Sequence, residues 1–181
     1  PEHFAVWQRA YEQAAELWLG GHRRAHPFVL NTIDPKIWGR LTEDFAPSGG
    51  CGFGHTELAI APSGRVYPCG RIVGEDPDEP SDPCRSLCMG DVTAGLDPAA
   101  CASLPERGGV PDECRACVFQ SRCGNQCGCS NLEATGDAAT PSGVLCWHEK
   151  MSIRLADRAA STLYDEHNAS FMSTFYSEVS V

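Results

Sequence analysis

The sequence predicts an α+β fold in which a small β-hairpin and cysteine-rich loops are combined with helices. The chain has 11 cysteines among 181 residues, far above ordinary usage, so thiol chemistry shapes the fold. Alternating apolar residues flank a Pro-Ser-Gly turn at 62–64, which is typical of a hairpin. Residues 143–165 carry apolar side chains at helical spacing, which predicts a long amphipathic helix near the C-terminal end.

The first elements are predicted to be a helix, a strand and a second helix. Apolar residues at helical spacing predict a helix over 3–19, ended by Gly20-Gly21. Residues 27–31 form a short apolar run that predicts a strand, and Asp34-Pro35 predicts the start of a short helix. A helix, a strand and a second helix cannot cover all of their apolar faces by packing against one another. They therefore look like the last βα portion of a larger α/β domain.

The hairpin follows a change of composition. Residues 56–61 alternate as a strand, Gly64 supplies the positive φ of the turn, and residues 65–67 return as the second strand. Cys51 precedes the hairpin and Cys69 lies at its end, so we expect the hairpin to bring these two thiols close together.

Further helices and one loop complete the prediction. Asp97-Pro98 predicts a short helix that runs through Cys101, and Asn168 predicts the cap of a last helical turn. The acidic, proline-rich stretch 74–83 is predicted to be a solvated loop. The buried stripe of the long helix is predicted to be Met151, Leu155, Ala159 and Leu163.

Charge and hydropathy exclude some classes of partner. The net charge of −10 argues against nucleic acid, whose binding requires a basic surface. No run of about 18 apolar residues occurs, so no membrane span is predicted. Cysteines can act as ligands only while they remain reduced, and thiols stay reduced in the cytoplasm. The sequence therefore predicts a cytoplasmic protein.

The densest cysteine run reads C-x2-C-x5-C-x3-C. A CxxC pair aims both sulfurs the same way, so such runs fold tightly around a metal or cluster. A secreted disulfide framework would also be rich in cysteine, but the odd count, the absence of a signal-peptide pattern and the CxxC spacing argue against it. A four-cysteine zinc module is the stronger alternative. The run consists of Cys114, Cys117, Cys123 and Cys127, with Cys51, Cys69 and Cys146 outside it.

This cysteine order resembles the SPASM domain, the C-terminal extension of many radical S-adenosylmethionine (SAM) enzymes that modify peptides and proteins. The family pattern is C-x(9–15)-G-x4-C, a gap, C-x2-C-x5-C-x3-C, a second gap and a final C. All seven cysteines and Gly64 match it across residues 51–146. The resemblance implies that 1–46 closes a TIM-like radical SAM barrel, 47–150 is the auxiliary-cluster domain, and 151–181 is a C-terminal helical segment.

The resemblance also implies cofactors, partners and a role. Two [4Fe–4S] clusters would be held, the first by Cys51, Cys69 and Cys127. The domain would transfer electrons and position a peptide or protein substrate during oxidation or cross-linking of a side chain. The barrel domain would carry SAM and a third [4Fe–4S] cluster, and a ferredoxin or flavodoxin would donate electrons. The second cluster would be held by Cys114, Cys117, Cys123 and Cys146.

Two departures from the family pattern limit this expectation. SAM cleavage needs a CxxxCxxC loop, whereas Cys84-x3-Cys88 is followed by Asp91 in place of the third thiol. We therefore expect this chain alone not to cleave SAM. A free-standing ferredoxin-like carrier is a further alternative.

The first cluster also lacks an obvious fourth ligand. An iron without a cysteine ligand is favoured, because Cys129 is expected to reach the cluster of Cys127 only through a strained turn. The other candidates for this position are Cys88, Cys84 and His55.

Remaining polar and aromatic residues are expected to play smaller parts. Cys101 is expected to be a buried apolar residue, and His148 to lie outside the ligand set. His22 and His26 are expected to be solvated. Trp147 and Phe119 are predicted to shield the second cluster from water.

Overall fold

The computed structural model describes residues 2–42, 53–54, 57–74, 76, 78, 87–104, 111–123 and 127–177. Within these ranges helices are mixed with a small antiparallel sheet, which confirms the predicted α+β class. The strands are β1 (Ala59–Ile60), β2 (Arg65–Tyr67), β3 (Gly90–Asp91) and β4 (Gly95–Leu96). The helices are α1 (Glu2–Arg23), α2 (Asp34–Thr42), α3 (Pro98–Ser103), α4 (Asp112–Arg115), α5 (Gly128–Thr135), α6 (Gly143–Asp165) and α7 (Ala169–Tyr176), with a 3-10 turn at Gln120–Arg122.

The chain divides into two compact units. The first contains Pro1–Pro47, Cys117–Cys123 and Gly143–Val181, and the second contains Ser48–Ala116 and Gly124–Ser142. Both units are discontinuous in sequence, whereas the segments predicted from the sequence follow one another along the chain. That segmentation stays a prediction about domains.

Helix α6 organises the first unit because α1, α2 and α7 all pack against it. All four residues of its predicted stripe are buried, from Met151 at 8% exposure to Leu163 at 0%. Asn168 caps α7 as predicted, accepting a hydrogen bond from Phe171 N at 2.9 Å. The same core contains Trp18 and Phe175, both fully buried. Apolar burial on one face of each helix therefore holds this unit together.

A buried carboxylate fixes the start of α2. Asp34 accepts hydrogen bonds from Trp18 Nε1 at 3.0 Å and from the Leu30 amide at 2.7 Å. Burial raises the pKa of Asp34, and these hydrogen bonds only partly oppose that effect. The predicted helix start at Asp34-Pro35 is confirmed, and its carboxylate joins α1 to the segment before α2.

Two expectations about α1 are wrong. The helix continues through Gly20-Gly21 to Arg23, and the chain turns at Ala25, where φ is +54°. His22 is not solvated, because the continued helix places it in the core at 1% exposure. Its Nδ1 lies 3.2 Å from Ser170 Oγ, and its ring lies 4.4 Å from the Trp18 ring.

The predicted strand over 27–31 is also wrong. This stretch has no regular secondary structure, and Phe28 and Val29 are 45% and 74% exposed. A strand requires a neighbour for its backbone hydrogen bonds, and none of the strands in the described ranges pairs with these residues.

The predicted hairpin is present in the second unit. Ala59 pairs with Tyr67 and Ile60 with Val66, and Gly64 has a φ of +92° as its turn requires. Strands β3 and β4 extend the hairpin into a four-stranded antiparallel sheet in the order β1-β2-β3-β4. Each added strand has two residues, one of them glycine, so sequence periodicity could not identify them.

Part of the acidic loop is bound to this sheet. Asp76 accepts hydrogen bonds from Arg65 Nη1 at 3.0 Å, Tyr67 Oη at 3.1 Å and the Ser63 amide at 3.2 Å. Hydrogen bonding, most strongly from Ser63, lowers the pKa of Asp76 to about 2. The expectation of a solvated loop is therefore wrong at Asp76, while 75, 77 and 79–83 lie outside the described residues.

Leu163→Ala should lower the free energy of unfolding by about 2–5 kcal/mol, because removing buried methyl groups leaves a cavity. Leu17→Ala is the matched control, since Leu17 is 65% exposed on α1. It should change the free energy by less than about 0.5 kcal/mol. Urea unfolding followed by circular dichroism measures both, and similar losses in the two variants would contradict this packing.

Candidate metal centre

Nine of the eleven cysteines lie in the described part of the chain, and no disulfide joins any of these nine. Cys51, Cys84 and His55 lie outside the described residues, so their predicted places remain predictions. The nine described cysteines are divided between the two compact units. Cys69, Cys88, Cys101, Cys114, Cys127 and Cys129 belong to the second unit, and Cys117, Cys123 and Cys146 belong to the first.

Three thiols meet in the second unit. Cys69 Sγ lies 3.4 Å from Cys129 Sγ, and Cys127 Sγ lies 3.2 Å from the same atom. We refer to Cys69, Cys127 and Cys129 as the first thiol group. Cys69 and Cys127 are predicted ligands of the first cluster, and in the structure both contact Cys129 Sγ. Cys129 is the central member.

Local structure places each thiol of this group. Cys69 lies two residues after β2, at the start of a turn in which the Ile72 amide donates to the Cys69 carbonyl at 3.0 Å. Cys127 is the N-cap residue of α5, and Cys129 lies in the first turn of that helix. Gly128 lies between them, and a Cβ there would be 3.2 Å from Phe53 Cγ. The close approach of Phe53 therefore favours glycine at this position.

Cys127 and Cys129 approach each other without a strained turn, while the expectation that both reach one cluster only through strain stays a prediction. Cys127 has φ −75° and ψ 104°, an ordinary extended conformation for an N-cap residue. Helix α5 then begins at Gly128, so Cys129 is helical. The change from extended to helical backbone at a cap is enough to turn two thiols separated by one residue toward each other.

Polar neighbours stabilise negative charge on Cys127. Ser130 Oγ donates to Cys127 Sγ at 3.3 Å, and Arg71 donates in turn to Ser130 Oγ. Burial raises the pKa of Cys127, but hydrogen bonds from Ser130, Cys129 and Arg71 outweigh it and lower the pKa to about 7. Burial, together with hydrogen bonds to the neighbouring thiols, raises the pKa of Cys129 to about 12.

Two other thiols of this unit are directed elsewhere. Cys88 Sγ donates to the Gly90 carbonyl at 3.2 Å, a contact made just before β3. Cys101 lies in α3 and is partly exposed, so the expectation that it is buried is wrong. Neither thiol has a hydrogen bond to the first thiol group among the contacts of the described residues.

The predicted second ligand set is placed by three elements. Cys114 lies in α4, Cys117 and Cys123 flank the 3-10 turn, and Cys146 lies in the first turn of α6. Lys150 follows Cys146 by one helical turn. A hydrogen bond to Cys146 raises the pKa of Lys150, and the charges of Cys146 and Cys117 add to the effect. Cys117 and Cys146 therefore share one cationic neighbour within the first unit.

An arginine anchors the segment that carries Cys117 and Cys123. Arg122 donates two hydrogen bonds of 2.7 Å to the Asp157 carboxylate on α6 and one of 3.2 Å to the Lys36 carbonyl. The Arg122 and Asp157 side chains are only 14% and 28% exposed. A bidentate pair of this kind fixes both distance and orientation. Arg122 therefore fixes the backbone immediately before Cys123.

The residues predicted to shield the second cluster have other well-defined neighbours. The Trp147 ring lies 4.8 Å from Phe4, and the Phe119 ring lies 5.2 Å from the Arg154 guanidinium. His148 Nε2 lies 2.9 Å from Tyr11 Oη. The shielding role of Trp147 and Phe119 stays a prediction.

Soft thiolate ligands select zinc and iron–sulfur clusters, so the chemistry of the first thiol group fits either centre. The distances within this group are those of hydrogen-bonded thiols. A Zn–S bond of about 2.3 Å in a tetrahedral site would place the sulfurs about 3.8 Å apart. In the described ranges, no set of three or more His, Cys, Asp or Glu side chains has the arrangement of a metal-ion site.

Comparisons with known proteins add no further assignment. No family model, curated protein or solved structure matches this chain. No helix in the described ranges is long and apolar enough to cross a membrane.

Sequence reasoning missed the polar neighbours of the thiols. The spacing of Cys146 and Lys150 by four residues on a predicted helix was a readable signal, because such residues lie on one face. Ser130 and Arg71 carried no comparable signal. Arg71 lies 59 residues from Ser130, so only the tertiary fold brings them together.

Arg122→Ala should lower the free energy of unfolding by about 1.5–3 kcal/mol, the range for hydrogen bonds to charged groups. Burial raises the pKa of Asp157, but hydrogen bonding to Arg122 and Arg40 and their charges hold it below its usual value of 3.8. The stability from this pair is therefore present above pH 3.8 and lost as pH falls through the lower folded pKa. Urea unfolding at neutral and acid pH should show a difference between variant and wild type that shrinks in acid.

Arg23→Ala is the control for this prediction. Arg23 also forms a bidentate pair, with Glu166, but these side chains are 44% and 38% exposed. Exposed pairs contribute little because solvent screens them. A loss of stability as large in the control as in Arg122→Ala would contradict the importance of the buried pair.

Proposed function

We propose that this chain is the auxiliary-cluster domain of a radical SAM enzyme that modifies peptides or proteins. In this role it binds two [4Fe–4S] clusters, transfers electrons and positions the peptide substrate while a side chain is oxidised or cross-linked. The meeting of Cys69 and Cys127 at one point is the observation that carries the proposal. The two residues are 58 positions apart in sequence, and both thiols contact Cys129 Sγ at 3.4 and 3.2 Å.

The first cluster in this proposal takes Cys51, Cys69 and Cys127. The second takes Cys114, Cys117, Cys123 and Cys146. Each cluster supplies one-electron transfer at a potential that the surrounding protein adjusts. Arg71 and Lys150 place positive charge beside the first and second sets of thiols, as their raised pKa values reflect. Positive charge near a cluster stabilises its reduced, more negative state and so raises the potential.

The segment before the hairpin supports a barrel domain as partner. Phe28 and Val29 are exposed apolar residues in a stretch without regular secondary structure, and none of the described strands pairs with it. A parallel sheet buries such residues on both faces. In this proposal residues 1–46 complete the barrel that binds SAM and the third cluster, and a ferredoxin or flavodoxin supplies electrons in the cytoplasm.

A zinc-binding interaction module is the second candidate. The thiols of Cys69 and Cys127 both lie within 3.4 Å of Cys129 Sγ, so all three could reach one ion once the sulfurs separate to the spacing of about 3.8 Å in a tetrahedral zinc site. With Cys51, this group would supply four thiolates, the ligand set of a structural zinc site. Such a module would have no redox role.

Protein purified without oxygen should contain about eight irons and eight acid-labile sulfides per chain, as two thiolate-ligated [4Fe–4S] clusters require. Inductively coupled plasma mass spectrometry and a sulfide assay measure these contents, and the absorption spectrum should show a broad brown band. A content of about two zinc ions with no labile sulfide would establish the zinc module instead.

Cys117→Ala should remove the second cluster, leaving about four irons, because the predicted site loses a thiolate. The variant should also be less stable, since metal binding and folding are coupled. Cys101→Ala is the control, because Cys101 lies in α3 and is outside the predicted ligand sets. Full iron content in both variants would refute the assignment of the second cluster.

A further inference from the structure

We infer that Cys129 is the fourth ligand of the first cluster, so that every iron of that cluster is bound by protein. This inference rests on the proposed function and reverses the expectation of an open iron. An open iron could bind a substrate thiolate, whereas a closed cluster can only pass electrons. The identity of the fourth ligand therefore decides what the first cluster does.

The position of its sulfur is the first argument for Cys129. Cys129 Sγ lies within 3.4 Å of Cys69 Sγ and within 3.2 Å of Cys127 Sγ. A group bound by Cys69 and Cys127 would therefore lie beside the Cys129 thiol. Rotation about the side-chain bonds of Cys129 can turn its sulfur toward such a group.

The surroundings of Cys129 are the second argument. Its side chain is 1% exposed and belongs to a buried cluster with Phe53, Tyr67 and Ile72. A small thiol from solvent would have to displace this packing to reach the same point. Burial therefore limits the access of water or a substrate thiol to the point beside the Cys129 sulfur.

The local backbone is the third argument. Cys127 caps α5 and Cys129 lies in its first turn, so the backbone of one short segment fixes both thiols. Phe53 packs against Gly128 between them, with its Cγ 3.2 Å from where a Cβ would lie. One short backbone segment thus holds both thiols on the same side of Gly128.

Cys88 packs against the same buried cluster as Cys129, but it makes no hydrogen bond to the first thiol group among the contacts of the described residues. Its Sγ donates to the Gly90 carbonyl at 3.2 Å, next to the start of β3. Recruiting Cys88 would break that hydrogen bond. Cys129 already contacts both Cys69 and Cys127 through its sulfur, so we assign the ligand role to it alone.

Anaerobically purified protein is titrated with 2-mercaptoethanol while the electron paramagnetic resonance spectrum of the reduced clusters is recorded. The wild-type spectrum should not change, because no iron is open to the added thiol. In Cys129→Ala the signal of one cluster should shift on thiol addition, since the thiol fills the opened position. Cys129→Ser should keep the cluster without a thiol response, because a serine oxygen can replace the sulfur.

Cys88→Ala and Cys101→Ala are the matched controls and should behave as wild type. A thiol response in wild type would overturn the inference, and so would a Cys129→Ala variant that gives none. A thiol response or loss of iron in Cys88→Ala would also overturn it, by assigning the role to Cys88. If Cys129→Ala does not fold, the wild-type titration and the Cys88→Ala variant still decide the matter.

The same measurements separate this inference from the proposed function. Wild-type protein without iron and labile sulfide would refute the proposed function itself. Wild-type protein with about eight irons and one thiol-responsive cluster would keep the function and refute only the role of Cys129.

Discussion

The contact of Cys69 with Cys129, and of Cys129 with Cys127, joins the end of the hairpin to the beginning of α5. The sheet of the second unit has strands of only two or three residues, and such short ladders contribute few hydrogen bonds. The buried cluster around Cys129 also contains few residues within the described ranges. The three thiols connect two elements that are distant in sequence, in a unit whose described strands are short. A thiolate-ligated centre would strengthen this connection.

The first unit is stabilised in a different way. An apolar stripe on α6 packs against α1, α2 and α7, and partly buried ion pairs connect α6 to neighbouring segments. Lys36 on α2 pairs with Glu149, and Arg122 pairs with Asp157, both on α6. Hydrophobic packing gives this unit its stability, and the Arg122–Asp157 pair gives the 3-10 turn between Cys117 and Cys123 a defined position on α6.

Sequence patterns predicted the elements whose signals are local. Each of these features depends on residues within a few positions of one another. They are the bounds and buried stripe of α6, the caps at Asp97 and Asn168, and the turn at Gly64. The burial of His22 and the exposed run at 27–31 depend on partners far away in sequence. The same distinction applies to the thiols. Spacing selected Cys69 and Cys127, but only the packed structure shows Cys129 between them.

The separation of 60 residues between Cys69 and Cys129 also bears on the order of folding. The hairpin and α5 each form from local contacts, whereas joining them closes a long loop whose entropic cost rises with its length. The thiols should accordingly meet late, after their own elements have formed. In the proposed function, a cluster bound by all three thiols would hold the loop closed, and cross-links of this kind are expected to stabilise most where the loop is long. Assembly of the metal centre would thus be the last step in forming the second unit and the step that makes its fold persist.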